Sequence, residues 1–164
     1  MIDLDPVADP IALREAYGSF PSGVTAVCAV RDGAPVGIAA SSFTSVSMDP
    51  PLVSLCVQAT STTWPLLADR TRLGVSVLGV SHGAACRQIA SKTGDRFAGI
   101  GWTATPDGAL LLHDAAAWLD CSIYDVLPAG DHELVLLRVH ALRVHQGVAP
   151  LVFHASGFRG LAAA

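Results

Sequence analysis

Hydrophobic and polar positions fall mostly into short runs, alternating or continuously apolar, separated by proline and glycine. That rhythm belongs to strands rather than to long amphipathic helices. Asp9-Pro10 offers a capping carboxylate and a first-turn proline, so residues 11–17 continue as a short helix, ended by Gly18 and Pro21-Ser22-Gly23. Residues 24–30 predict a strand, Arg31-Asp32-Gly33-Ala34 a hairpin turn, and residues 35–40 the returning strand. Residues 44–47 and 52–58 are strands around Asp49-Pro50-Pro51, where two prolines prevent continuous pairing. Residues 63–69 predict a helix with Pro65 in its first turn, and residues 73–78 a buried strand. Ser81 caps a further helix through about residue 91. Residues 95–108 read as a loop, and residues 115–126, 132–145 and 150–154 as three closing β segments.

Many strands of uneven length with a few short helices predict a mainly β barrel or sandwich. No repeat or linker divides the chain, so residues 1–164 form one domain. A Gly-x-Gly-x-x-Gly turn after a strand is missing, as is regular strand–helix alternation. A dinucleotide, if used, is therefore not bound in a doubly wound crevice.

Composition adds three constraints. Apolar residues make up 51% and charged residues 15%, which favours burying further area in a subunit interface. The net charge of −4, with only ten Lys and Arg dispersed along the chain, argues against a nucleic-acid partner. The apolar runs at 52–57 and 134–139 are too short to span a bilayer. The acidic start lacks the basic region of a signal peptide, so a cytoplasmic protein is expected. Cys28, Cys56, Cys86 and Cys121 lie far apart without a Cys-x-x-Cys pair and read as small buried hydrophobes. His140 and His145, five apart in a strand, point to opposite faces, so no metal site is expected. Trp64, Trp102 and Trp118 read as core or interface residues.

The candidate chemistry starts at 37–43, Gly-Ile-Ala-Ala-Ser-Ser-Phe, where an ordinary core strand would carry bulk. Small side chains there let a flat, phosphate-bearing ligand approach backbone N–H groups and hydroxyls. Together with Pro21-Ser-Gly-Val-Thr25, Ser45-Val-Ser-Met-Asp-Pro-Pro-Leu52, Ser61-Thr-Thr63, Asp95-Arg-Phe97, Gly130-Asp-His132 and Pro150-Leu-Val-Phe153, it resembles the flavin reductase family in order across nearly the whole chain. Members are the reductase components of two-component flavin-dependent monooxygenases. Ile38 stands where threonine is commoner, Ile89-Ala90 where Phe-Ala is frequent, and Lys92 only near a basic flavin contact.

The resemblance implies an FMN-binding split β-barrel of Greek-key type, homodimeric, with flavin near the subunit interface. It implies reduction of free FMN or FAD by NADH or NADPH, the reduced flavin diffusing to a partner monooxygenase. Flavin contacts would come from Ala39, Ala40, Ser41, Ser42, Cys56, Gln58, Ser61, Thr63, Ala90, Lys92, Arg96 and Phe97. His132 and Phe153 would face the nicotinamide, with His132 the catalytic candidate.

Each of these residues has a plainer reading. Ser61 and Thr63 stand at a helix start, where they serve an anion or merely cap. Lys92, the sole lysine, neutralises a phosphate or lies solvated at a helix C-terminus. Phe97 lies beside the flavin ring or in the core, and Arg96 reaches phosphate or pairs with Asp95. Cys56 and Gln58 would offer backbone groups to the ring, because nothing nearby stabilises a thiolate at Cys56. Hydride transfer needs stacking more than a protein acid, so His132 orients a nicotinamide, supplies a proton, or simply opens a strand. A flavin storage or sensor module, an oxidase on the same barrel, and a cofactor-free scaffold are the rival readings.

Overall fold

The computed structural model describes residues 2, 4, 6, 7 and 9–162. Helix α1 spans Pro10–Gly18, with Asp9 accepting the Ile11 N–H at 2.9 Å as its cap. The strands are β1 (Ser22–Gly23), β2 (Thr25–Arg31), β3 (Ala34–Ala40), β4 (Thr44–Met48), β5 (Pro51–Gln58), β6 (Leu73–Val77), β7 (Trp102–Ala104), β8 (Leu110–Leu112), β9 (Ala117–Ala129), β10 (His132–Val144), β11 (Val152–His154) and β12 (Gly157–Arg159). Helices α2 (Trp64–Ala68) and α3 (Gly83–Ile89) complete the set, α3 following a 3-10 turn at Val80–His82.

Seven strands make one antiparallel sheet in the order β3-β2-β6-β9-β10-β5-β4. Two strands far apart in that order nevertheless share one core. Val36 and Ala40 of β3 pack in the same cluster as Val53, Leu55 and Val57 of β5, so the sheet curls back on itself. Ser42 clasps the seam: its hydroxyl accepts the Cys56 N–H at 2.8 Å and donates to the Cys56 carbonyl at 3.2 Å.

A second cluster lies on the other side of β2. Val27 and Ala29 join the first cluster, while Ala26 and Cys28 join the second with Leu78, Ile89, Phe97, Leu110 and Leu112. A strand buried on both faces reads as an unbroken apolar run, which is how 24–30 reads. The β2–β3 turn has φ of 51° at Asp32 and 77° at Gly33, the two positive values of a type I′ hairpin. Among the described residues no helix is long and apolar enough to cross a membrane.

The structure departs from the sequence reading at several short elements, among them β1 at Ser22–Gly23, expected only as a helix end. The loop expected at 95–108 contains β7, which pairs with β8, and neither strand was anticipated. β12 was also unforeseen. These are three-residue strands, too short for alternation to register. The helix expected from Ser81 instead begins after Gly79, whose N–H is accepted by the His82 ring at 3.0 Å. Ser81 caps nothing, because the imidazole already fills that role. At α2 the capping role expected of Ser61 is observed, its hydroxyl accepting the Trp64 N–H at 3.1 Å, while Thr63 makes no cap bond.

Candidate functional site

The register of β5 against β10 sets His132 directly opposite Gln58. His132 follows the Gly130-Asp131 turn joining β9 to β10, where Gly130 takes φ of 65°. Its Nδ1 lies 2.7 Å from the Asp131 carboxylate. An ionised carboxylate only accepts, so Nδ1 carries the hydrogen and Nε2 faces outward. The hydrogen bond from His132, reinforced by its charge, holds the Asp131 carboxyl below its ordinary value.

Hydrogen bonds carry this corner continuously towards α2 and α3. Ala59 N–H donates to the Asp131 carbonyl at 3.0 Å, and Ser61 N–H to the Gln58 carbonyl at 2.9 Å. The Thr63 hydroxyl accepts from Arg96 at 3.1 Å, and the same Arg96 nitrogen donates to the Ile89 carbonyl at 3.4 Å. Ala90 and Lys92 follow directly, both exposed, and Lys92 makes no hydrogen bond or ion pair among the described residues. The structure therefore joins Ser42, Cys56, Gln58, Ser61, Thr63, Ala90, Arg96 and His132 into one strip, although they span ninety positions of sequence.

Several expected contacts turn out to serve the fold. Ala40 and Phe97 are buried. Phe97 lies against Cys28 and Gly37, where a Cβ would approach its ring to 3.0 Å. Core packing is thus the structural role of Phe97, and Gly37 is small because this ring needs the room. Ala39 is half-buried on the same cluster, while Ser41 is exposed at the end of β3. Arg96 does not pair with Asp95, whose carboxylate instead accepts the Phe97 N–H at 3.0 Å. Phe153 pairs with Ser22, packs edge-on against Phe158 at 5.7 Å, and lies half-buried against the cluster that holds Ile89 and Phe97. No hydrogen bond among the described residues ties it to His132.

The cysteines carry no redox pair. Burial pushes the Cys28 and Cys121 thiols up to about 12. Cys86 is raised for the same reason, and Cys56 is exposed. Among the described residues no group of three His, Cys, Asp or Glu is placed to hold a metal ion. Gln88 is a contributor that sequence reasoning missed: its amide donates to the carbonyls of Asp95 and Ala98 at 3.3 and 2.8 Å, fixing the loop that carries Arg96. A lone glutamine in a helix gives no sequence signal.

The donor set suits a flat anionic ligand. Arg96 spends one terminal nitrogen on Thr63 and Ile89, leaving the other nitrogens without a protein partner among the described residues. Ser41 and Cys56 are exposed residues at the β3–β5 seam, the Cys56 peptide groups being taken by Ser42, and His132 stands opposite Gln58 at the other end.

Comparison with known proteins follows the same outline. The family described as Flavin reductase like domain matches residues 17–162. A flavin reductase of Pseudomonas putida is 37% identical over 94% of this chain and 92% of its own length. The reductase subunit HsaB of a flavin-dependent monooxygenase from Rhodococcus jostii is 36% identical over 93% and 78%. Two Rhizobium meliloti relatives are longer, the chain spanning 63% and 47% of them. Among solved structures, the NADH:FAD oxidoreductase SgcE6 of Streptomyces globisporus, in complex with NAD and FAD fragments, superposes with a TM-score of 0.91 at 33% identity, covering 98% of both chains. BorF, the flavin reductase component of a bacterial two-component tryptophan halogenase, superposes at 0.87 with 33% identity over 95% and 100%.

Proposed function

We infer that this chain, which belongs to the flavin reductase like domain family and has the split-barrel fold, reduces flavin with a reduced nicotinamide and supplies it to a partner monooxygenase. It is an NAD(P)H:flavin oxidoreductase. The observation that carries the reading is the chain of contacts from His132 through Gln58 and Thr63 to Arg96, which gathers dispersed segments.

Bound flavin and nicotinamide supply the redox chemistry, a hydride passing between them. The chain's residues bind and orient. Arg96, steadied by Thr63 and Ile89, faces the phosphate end with Lys92 as a second, mobile charge. The exposed stretch at Ser41 and Ser42 meets the ring edge, where the Ser42 hydroxyl, already bonded to the Cys56 peptide groups, clasps the end of β3 to β5. His132 presents Nε2 to the nicotinamide side, its ring set by Asp131. Ala40 and Phe97 act from behind, as the packed floor under this surface. The reduced flavin leaves by diffusion, which calls for modest affinity; micromolar binding is about −8 kcal/mol. The active unit is a homodimer working in the cytoplasm.

The test is anaerobic turnover. Protein mixed with a large excess of FMN or FAD and NADH should bleach the flavin's visible band over many turnovers. Bleaching limited to one flavin per chain would instead support a storage module, and no bleaching by folded protein would overturn the reading.

A further inference from the structure

A cavity of about 330 Å³ lies at the opposite end of β10 from His132, lined by His113, Asp114, Ala115, Trp118, His145 and Val148. His132 opens β10 and His145 follows its end, a span of about 40 Å along an extended strand. The volume is at the small end of the range for organic ligands.

Its walls are aromatic and held in place. The Trp118 indole N–H donates to the Leu112 carbonyl at 2.6 Å, and the His145 ring meets Trp118 edge-on at 4.5 Å. Arg143 lies over the indole at 6.0 Å from its centroid. Two glycines let the walls approach. A Cβ on Gly101 would stand 2.7 Å from the His113 ring, and one on Gly79 would meet Val148 at 2.8 Å and the Asp114 carbonyl at 2.9 Å.

The polar groups are specific in kind. His145 Nδ1 is 2.7 Å from the Ala115 carbonyl, which only accepts, so Nδ1 bears the hydrogen and Nε2 is left without a protein partner among the described residues. The Asp114 carboxylate and the His113 ring also have no side-chain partner among the described residues. No metal-binding group of three such residues forms among the described residues. Acceptors beside aromatic walls call for a ring that carries a donor, and Asp114 opposes a second negative charge.

We propose that this cavity binds a small planar aromatic molecule bearing an uncharged hydroxyl, of the phenol class, independently of flavin. The hydroxyl donates to His145 Nε2 or Asp114, and the ring packs between Trp118 and Val148. Nothing in this site depends on the reductase reading.

The experiment titrates labelled full-length protein with phenol, toluene and benzoate, reading the Trp118 indole N–H resonance. Phenol should shift it saturably in the millimolar range, with toluene about tenfold weaker for want of the hydrogen bond. Benzoate should give no saturable shift until Asp114→Asn removes the opposing charge. His145→Phe should weaken phenol about tenfold while its flavin reduction rate stays that of the parent. Asp114→Asn, at an exposed residue, keeps the test alive if His145→Phe does not fold. No saturable phenol shift, equal binding of toluene, or benzoate binding to the parent protein would each overturn the proposal.

Discussion

Arg96 illustrates how one side chain serves the fold and the ligand together. One guanidinium nitrogen ties the start of α2 to the end of α3 through Thr63 and Ile89, and the remaining nitrogens are left for an anion. Arg96→Leu should therefore raise the flavin dissociation constant by about tenfold or more, a charged hydrogen bond being worth roughly 1.5–3 kcal/mol. Thr63→Val should give a smaller loss, and equilibrium dialysis against FMN checks both. His132→Ala should lower the nicotinamide-dependent rate with little change in flavin affinity; unchanged reduction kinetics would remove it from the mechanism. The thiols give a pH prediction. Cys28 and Cys121 ionise at about 12 in the fold against 9.0 in an open chain. A raised folded value leaves their contribution intact below 9.0 and erodes it as pH climbs towards 12. Thermal melts across that window should fall, and Cys28→Ala should flatten the decline. Under neutral conditions a thiol reagent should modify Cys56 first, because it is exposed while the other three are buried.

Elements are pressed together at two glycines. A Cβ on Gly37 would lie 2.4 Å from the Cys28 sulfur, so Gly37→Ala should cost about 1–3 kcal/mol as β3 and the Phe97 ring shift. A Cβ on Gly74 would sit 2.0 Å from the Leu110 carbonyl, which is backbone and cannot swing aside. Gly74→Ala should thus be the more damaging of the two in a chemical denaturation series. That crossing of β8 over β6 also marks where the sequence stopped being legible. Long strands showed themselves: β2, β5 and β10 carry enough apolar residues to be read directly, and Asp32-Gly33 announced their first hairpin. β7 pairs with β8 only a few residues on, and β12 with β11 across the turn at Ala155-Ser156, but strands of three residues are too short for an alternating pattern to register. The site divides along the same line. Gly37, Ser42 and His132 were visible as motifs, but that Phe97 would be floor and Arg96 would reach Thr63 depended on tertiary packing. The cap expected at Ser81 misled because the His82 ring accepts the Gly79 N–H instead, whereas the Ser61 cap of α2 was legible.

The molecule as a whole shows more apolar surface than a lone barrel needs. Val46 and Met48 on β4 are 49% and 93% exposed, and Leu142 and Val144 at the end of β10 are 67% and 59% exposed. Helix α1 buries none of its residues. Such surface is the material of a subunit interface. Sedimentation should find a dimer at micromolar concentration, and Leu142→Asp with Val144→Asp should shift it towards monomer if those faces are the contact. Whether His132 and Arg96 bound a single flavin surface is decided by a crystal structure of the protein soaked with FMN. The phosphate should lie against Arg96 and the ring edge beside Ser41 and Ser42, with His132 Nε2 open to the ring's nicotinamide side. Flavin bound elsewhere, with that surface bare, would contradict the reading.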